Sequence, residues 1–325
     1  MTSIVISTLN IWSINKEERF SEYLEHKSHP ANFFNSKDLL KNRLPLIFEI
    51  YRGLIEEYIS TLGQVLIFGF LLYFTLTSLS FFYFFIWKKQ KFLPKYQGTF
   101  YIIHDIKWSS INILIESLLV SALKMFQIRY SFVYFKVSDY GYMYLILSIL
   151  LHVAFDETFT YWIHRIFHTN RTLYRLLHKI HHKSVDVTPF SAFAFHPIDA
   201  FGQAFPTFTS CFFFPLHYDV MLFFSFITSC WAISIHDNVP AMPLKLFLYS
   251  THHTIHHEEG MGKFRNYGKF TSVWDRLAGT YSDPDRINYG WQRNQKVKNF
   301  FDHLNEIIDK YIPDRTPRYI SKKRN

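Results

Sequence analysis

Cysteine is scarce in this chain, whose 325 residues include only Cys211 and Cys230. Two cysteines can form at most one bridge, so a small secreted fold held together by several disulfides is excluded. Both cysteines lie in apolar stretches, and neither is near a histidine cluster. A copper electron-transfer site needs a cysteine ligand together with methionine, so it is a poor interpretation of the histidines described below.

The first residues of the sequence do not predict a cleaved targeting segment. The chain begins MTSIVISTLNIWS, without a basic n-region or a long apolar h-region, and so does not predict a secretory signal peptide. Charge is absent from a later run, Leu62–Trp87, which holds 26 residues without Asp, Glu, Lys or Arg. Roughly 20 apolar residues are enough to cross a bilayer. This run therefore predicts a membrane span rather than a buried helix of a soluble protein.

Three further apolar stretches complete the predicted membrane part. Two of them, at about 108–126 and 142–163, have the length of single spans. The third is too long for one crossing and just long enough for a tight hairpin, with arms at 198–214 and 220–234 and a turn at Pro215–Asp219. We therefore expect an all-α integral membrane protein with three spans plus a helical hairpin.

Lysines close behind the first span set the expected orientation. Lys88, Lys89, Lys91 and Lys95 form a short Lys-rich loop, which the positive-inside rule places in the cytoplasm. The hairpin then returns the chain to the same side, so the histidine-rich segments form a cytoplasmic cap and the C-terminus faces the cytoplasm. Because the basic residues flank apolar spans and do not form one stripe, nucleic acid is not an expected partner.

The layout divides the chain into four expected segments. They are a membrane-proximal segment with short helices at 1–61, the first spans at 62–141, a catalytic domain at 142–285 and a basic tail at 286–325. Within the tail, an amphipathic segment is expected at about 295–312. The chain ends with Lys322 and Lys323 before its last two residues, similar to a dilysine retrieval signal of the endoplasmic reticulum.

Histidine is the residue that stands out. Thirteen of the seventeen histidines lie between His152 and His257, and imidazole is the usual protein ligand for zinc, iron and copper. Residues three and four apart share one helix face, so each of three clusters is expected to converge as its own set. The clusters are His164 with His168; His178 with His181 and His182; and His253 with His256 and His257. One metal needs only three or four ligands, so eight imidazoles suggest a dimetal site.

Two carboxylates precede the first cluster on the third span. Asp156 lies on the helical stripe of His164, and Glu157 lies nearly on that face. A carboxylate that orients a ligating imidazole is one interpretation. A structural hydrogen bond between helices is the other, and the sequence leaves both open.

The chemistry that best fits many imidazoles beside a membrane is dioxygen activation by non-haem iron on a lipid substrate. It would attack an unactivated C–H bond and give a hydroxyl group or a double bond. A hydrolase would normally show bridging carboxylate ligands. A metal transporter would carry its histidines near the middle of the membrane, whereas these lie beyond the ends of the spans. Zinc takes imidazole as readily as iron, so the spacing leaves the metal open.

The sequence around the histidines resembles the fatty acid hydroxylase/sterol desaturase superfamily and, within it, the sterol C5-desaturase (lathosterol oxidase) branch. The resemblance covers roughly residues 140–285. The strings that carry it are YWIHRIFH (161–168), LHKIHHK (177–183), TPFSAFAFHPIDAFGQAFP (188–206), WAISIHD (231–237), STHHTIHH (250–257) and NYGKFTSVWDRLAGTYSDP (266–284).

This resemblance implies a Δ7-sterol C5(6)-desaturase of the endoplasmic reticulum membrane. It implies two iron ions, dioxygen, and electrons from NADH through cytochrome b5 and its reductase, with no catalytic residues beyond the metal ligands. Zinc could occupy the purified protein. The implied ligands are His164, His168, His178, His181, His182, His236, His253, His256 and His257.

The resemblance leaves the roles of some residues and some alternative functions open. His196 and His252 could be ligands or substrate-side residues, and the alternative for His196 is a polar cap of the hairpin. Ala200 and Ser184 depart from the family pattern, which expects Gly and Trp there. The alternative functions are a lipid hydroxylase of the same superfamily (a sterol C4-methyl oxidase or fatty acid 2-hydroxylase) and a non-catalytic sterol-binding homologue.

Overall fold

A computed structural model describes residues 36–96, 98, 101–239, 244–258, 265–284 and 295–316. Two compact units separate along the chain, Met1–Glu57 and Tyr58–Asn325. The described part of the first unit is helical, and the second unit contains the helices and clusters discussed below. The ten α-helices of the described part are α1 (Ser36–Phe81), α2 (Lys89–Phe92), α3 (Ile102–Tyr130), α4 (Gly141–Thr169), α5 (Arg171–Leu176), α6 (Pro197–Thr209), α7 (Tyr218–Ile235), α8 (Ser250–Glu258), α9 (Val273–Leu277) and α10 (Gln295–Tyr311).

Four helices within the described residues are long and apolar enough to cross a membrane. They span Phe48–Trp87, Ile102–Tyr130, Gly141–Thr169 and Tyr218–Ile235. Large apolar side chains on them, Phe223 among others, are exposed in the structure, as lipid-facing residues of a membrane helix would be. The expected all-α integral membrane architecture is confirmed.

The first helix is longer than the sequence indicated. Residues 1–61 were expected to form short helices, but α1 runs without a break from Ser36 to Phe81 and continues as a π-helical turn at Phe82–Trp87. The predicted boundary between residues 61 and 62 therefore falls inside a helix. The expected short helices before Ser36 lie outside the described residues.

The hairpin forms, but its first arm is shorter than expected. The arm predicted at 198–214 is α6, of 13 residues, followed by a 3₁₀ turn at Ser210–Phe212. A helix of 13 residues is too short to cross a bilayer, and its polar residues Asp199 and Thr207 are buried. The expected turn contains a two-residue strand, β2 (Leu216–His217), which pairs in parallel with β1 (Val133–Tyr134).

Polar side chains inside the bundle satisfy the backbone of a buried 3₁₀ turn, Pro189–Phe193. Tyr73 of α1 donates its hydroxyl to the carbonyl of Phe190 at 2.8 Å, and Ser109 of α3 donates to the same oxygen at 3.2 Å. Asn112 of α3 donates to the carbonyl of Phe193. Buried backbone carbonyls outside regular helices need such hydrogen-bond partners. The turn therefore stays buried between α1 and α3.

The C-terminal helix docks onto the segment that follows the third histidine cluster. Arg276 of α9 is fully buried, and it donates to Asp309 of α10 at 2.6 Å and to the carbonyl of Ile312 at 3.1 Å. The amphipathic segment expected at about 295–312 corresponds to α10. The basic ending at Lys322 and Lys323 lies outside the described residues.

Candidate metal centre

Nine buried or nearly buried histidines form two groups at one end of the membrane helices. In each group the candidate ligand atoms lie within 4.8 Å of one another. We call them group one and group two. Group one contains His164, His168, His178, His182 and His256. Group two contains His181, His236, His253 and His257.

The two groups do not follow the three sequence clusters. The second cluster lies in a 3₁₀ turn, His178–Lys183. His178 and His182 of this turn belong to group one, whereas His181 belongs to group two. In α8, His256 joins group one while His253 and His257 join group two. Successive residues of a helix point about 100° apart, so neighbouring histidines diverge. The prediction that each cluster converges on itself is wrong for the second and third clusters.

The Nε2 atoms inside each group are very close. The Nε2 of His168 lies 3.2 Å from that of His164 and 3.1 Å from that of His256. In group two, the Nε2 of His257 lies 3.0 Å from those of both His181 and His253. Bonds of ~2.1 Å from one metal to two nitrogens at a right angle place those nitrogens roughly 3.0 Å apart. The spacing therefore fits imidazoles that share a metal ion.

Hydrogen bonds at Nδ1 set the direction of several rings. The Nδ1–H of His164 donates to the carbonyl of Tyr267 at 3.0 Å, and that of His256 donates to the carbonyl of Arg265 at 2.7 Å. In group two, the Nδ1–H of His236 donates to the carbonyl of Ala232 at 2.6 Å. A carbonyl oxygen only accepts, so the proton sits on Nδ1 and the lone pair is on Nε2. These lone pairs face the interior of each group.

Burial keeps the imidazoles neutral. Burial is the largest cause that holds the pKa of His181, His182 and His257 well below the usual range, and neighbouring histidines lower it further. Burial also lowers the pKa of His236 to about 4. Several neutral lone pairs pointed at one another repel unless a cation lies between them. The donor set therefore fits one metal ion in each group.

Comparison with known proteins identifies the family. The sequence model of the fatty acid hydroxylase family matches residues 149–280. Human lathosterol oxidase is 36% identical over 225 residues, which is 66% of this chain and 72% of that protein. Lathosterol oxidase of Rattus norvegicus is 33% identical over 258 residues, 76% of this chain and 82% of that protein. The chain belongs to the sterol desaturases of the fatty acid hydroxylase family.

More distant sterol desaturases show the same likeness. The Δ7-sterol 5(6)-desaturase of Candida albicans is 30% identical over 283 residues, 86% of this chain and 70% of that protein. No solved structure matches the chain. The resemblance inferred from the histidine strings is confirmed, and so is the prediction of an oxidoreductase.

His196 and His252, whose roles in this sterol desaturase were left open by the sequence, lie outside both groups. His196 is the N-cap of α6, where its Nδ1 accepts from the amide of Ile198 at 3.3 Å. His252 is buried in α8, and its Nε2 lies 3.4 Å from the hydroxyl of Tyr281. His196 thus has the capping role that was its alternative interpretation.

Asp156 and Glu157 bind side chains and backbone amides of other segments and do not bind the imidazoles. Asp156 pairs with Lys269 at 2.6 Å and accepts from Thr207 at 2.9 Å. Glu157 accepts from the amide of Phe270 at 2.6 Å and from the Thr271 hydroxyl at 2.9 Å. Within the part of the chain that the structure describes, neither carboxylate has a hydrogen bond to an imidazole. They anchor the segment that begins at Tyr267, so of the two interpretations the structure shows the structural one.

A carboxylate that orients a histidine of group one was not predicted from the sequence. Asp199 accepts from Nδ1 of His178 at 2.6 Å, and both side chains are fully buried. Asp199 also accepts from the side-chain amide of Gln203 at 2.8 Å. A single acid at the start of the apolar hairpin arm is a signal that could have indicated it, because a lone charge there needs a polar partner.

Proposed function

We propose that this protein is a Δ7-sterol C5(6)-desaturase that introduces the C5–C6 double bond of a sterol. The observation that carries the proposal is the pair of converging imidazole groups at the end of membrane-crossing helices. Support comes from relatives named lathosterol oxidase and Δ7-sterol 5(6)-desaturase. A lipid hydroxylase remains the second candidate, because the matching family model is that of the fatty acid hydroxylases.

The two groups would each hold one iron ion. Five imidazoles are offered by group one and four by group two, and imidazole suits iron as well as zinc. Iron would supply the one-electron chemistry with dioxygen that an unactivated C–H bond requires. Zinc would occupy the same nitrogens without that chemistry, so metal identity is part of the test.

The protein's own residues prepare the site before any substrate arrives. Burial excludes water and keeps the Nε2 lone pairs available. Outer hydrogen bonds from His164, His178, His236 and His256 fix ring orientation. The helices that bear the groups continue into the apolar region, so a sterol can enter from the bilayer and present one edge of its rings. Positioning by the protein then selects the C5–C6 edge.

Electrons would come from NADH through cytochrome b5 and its reductase, at the endoplasmic reticulum. We infer that the histidine groups and the C-terminus face the cytoplasm, since the lysines behind the first span follow the positive-inside pattern. α4 runs from Gly141 to Thr169 and is long enough to cross a membrane, so its two ends would lie at opposite membrane surfaces.

Cysteine labelling in sealed microsomes tests the orientation. Exposed Ser138, before α4, and exposed Arg175, after it, are each replaced by cysteine. A membrane-impermeant maleimide added outside should label Arg175→Cys and leave Ser138→Cys unlabelled until the membrane is opened. The reverse pattern would place the histidine groups in the lumen and contradict the cytoplasmic orientation.

Sterol analysis tests the reaction. Cells that lack sterol C5-desaturase are analysed with and without this chain expressed. We expect Δ5,7-sterols to appear at the expense of Δ7-sterols. A chain that is present in the membrane fraction but produces new hydroxylated lipids instead would support the hydroxylase.

Three histidine variants test the site in the same cells. His181→Ala removes a group two imidazole and His256→Ala a group one imidazole, and each should abolish product while the protein stays in the membrane. The matched control is His303→Ala on α10, whose side chain is 74% exposed and which should keep full activity. Retained activity in either cluster variant would contradict the metal-site assignment.

A further inference from the structure

Two sequence strings bring four oxidisable rings together beside group one. YWIHRIFH (161–168) supplies Tyr161 and Trp162, and NYGKFTSVWDRLAGTYSDP (266–284) supplies Tyr267 and Trp274. The second string contributes no histidine to either group. Tyr267 of this string nevertheless lies in the same buried cluster as Tyr161, and Trp274 packs against that cluster.

The inner end of this aromatic cluster touches the proposed metal ligands. The ring centroid of Tyr267 lies 5.2 Å from that of His168, 5.7 Å from that of His164 and 5.8 Å from that of His256. Three of the five imidazoles of group one therefore contact a single tyrosine ring. Tyr267 is 5% exposed, so this contact is shielded from water.

From Tyr267 the rings continue outward without a gap. The ring centroid of Tyr161 lies 6.1 Å from that of Tyr267. The Trp274 ring is nearly parallel to the Tyr161 ring, with a centroid distance of 6.0 Å and an interplanar angle of 23°. Trp162 contacts both of them, at 5.2 Å from Tyr161 and 6.0 Å from Trp274. Trp162 is 41% exposed, with the guanidinium of Arg165 5.4 Å from its ring centroid. The cluster thus connects group one with the exposed side of α4 at Trp162, about two turns before the helix ends at Thr169.

Tyr161 also has a built route for its phenolic proton. Its hydroxyl donates to Thr280 at 2.9 Å, and the Thr280 hydroxyl donates to the carboxylate of Asp275 at 2.7 Å. Arg165 also donates to the phenol oxygen at 3.1 Å. A tyrosine gives up an electron readily only when its proton has an acceptor. Burial raises the pKa of Asp275 to about 6, which makes it a better proton acceptor than an exposed aspartate.

We propose that Trp162, Trp274, Tyr161 and Tyr267 form a path for single electrons from the exposed face of α4 to group one. The inference rests on the proposed function, because the oxidant would be the oxidised metal ion that group one would hold. Tyr161 would give up one electron towards group one through Tyr267, and its phenolic proton would move through Thr280 to Asp275. An electron from Trp162 or Trp274 then restores Tyr161, the proton returns, and a one-electron reductant at the surface restores the tryptophan.

The path explains features that packing alone does not require. Phenylalanine would fill the same space as Tyr161 and would bury the same apolar surface. A buried phenol needs one hydrogen-bond partner, whereas Tyr161 has both a donor, Arg165, and a chain of acceptors that ends on a fully buried carboxylate.

Photo-oxidation of the zinc-loaded full chain tests the path apart from any dioxygen chemistry. The purified protein in detergent is flashed with tris(bipyridyl)ruthenium and a cobalt electron acceptor, then frozen for electron paramagnetic resonance. We expect a tyrosyl radical that is lost in Tyr161→Phe. The matched control is Tyr134→Phe, a buried tyrosine in β1, which should keep the signal. A spectrum unchanged in Tyr161→Phe would overturn the proposal.

Two further variants keep the test decisive if Tyr161→Phe folds poorly. Thr280→Val keeps all four rings and interrupts the proton route, so the radical yield should fall at unchanged zinc content. The double variant Trp162→Phe and Trp274→Phe keeps aromatic packing but removes the outer half of the path, so the Tyr161 radical should again be lost. Wild-type yields in these variants would overturn the proposal.

An iron-loaded sample separates this inference from the proposed function. Reduced protein is exposed to dioxygen without sterol, and oxidised residues are mapped by mass spectrometry. We expect oxidation at Trp162 and Trp274 in wild type and at group one histidines in Tyr161→Phe. A radical in the zinc sample with no oxidation in the iron sample supports the path and counts against dioxygen chemistry. No radical in the zinc sample overturns the path whatever the iron sample shows.

Discussion

At the scale of single residues, the outer hydrogen bonds of the imidazoles distinguish the proposed ligands from one another. His164, His236 and His256 donate to backbone carbonyls, whereas His178 donates to the carboxylate of Asp199. A carboxylate partner raises the basicity of the ligating nitrogen more than a carbonyl does. We therefore expect the metal affinity contributed by His178 to depend on its outer hydrogen-bond partner more than that of the other proposed ligands does.

Replacement of Asp199 should weaken metal binding at group one. Asp199→Asn keeps an oxygen that accepts from His178 but removes the charge, and loss of such a partner typically lowers metal affinity ~10–100-fold. The measurement is metal content by mass spectrometry during titration with a chelator. Asp139→Asn, at an exposed position before α4, is the control. Equal chelator resistance in both variants would show that Asp199 does not tune the site.

At the scale of elements, sequence reasoning succeeded where one physical signal dominates. The uncharged run Leu62–Trp87 exceeds the length of a bilayer crossing, so its helix followed from composition alone. Eight of the nine grouped histidines were also found from their spacing, and His236 was found from the family resemblance, but the division of two clusters between the groups was not predicted. The features that the sequence did not predict depend on the backbone conformation. The 3₁₀ geometry of His178–Lys183 and the shortness of α6 follow from tertiary packing and leave no periodic pattern.

The pair Asp156–Lys269 joins α4 to the segment that carries Tyr267. Asp156 is 1% exposed and Lys269 10% exposed, and loss of one partner of a buried pair costs about 3–5 kcal/mol because a charge is left unpaired. We expect Asp156→Ala and Lys269→Ala each to lower the thermal unfolding midpoint strongly. The double variant should cost clearly less than the two losses added together. Additive losses would mean that the pair is not coupled.

At the scale of the whole molecule, the groups tie together parts that are distant in sequence. The donors come from α4, the 3₁₀ turn His178–Lys183, the end of α7 and α8. A metal that binds only the folded arrangement stabilises it by mass action, by about 4 kcal/mol per ion when the free ion is 1,000-fold above its dissociation constant.

Metal removal should therefore destabilise the whole region that carries the two histidine groups. The full chain in detergent is treated with a chelator, and its thermal unfolding midpoint is compared with that of the metal-loaded protein. We expect a lower midpoint that is restored by adding back iron or zinc. Identical midpoints would contradict metal binding at the nine imidazoles.

The division of neighbouring histidines between the groups has a consequence for how the protein matures. His181 and His182 are adjacent in one turn, and His256 and His257 are adjacent in α8, yet each pair serves both groups. An ion that fixes either group also immobilises the backbone that presents ligands to the other, and this coupling is reciprocal. Loading should consequently be cooperative, so newly made protein would pass from empty to doubly occupied with little half-filled intermediate.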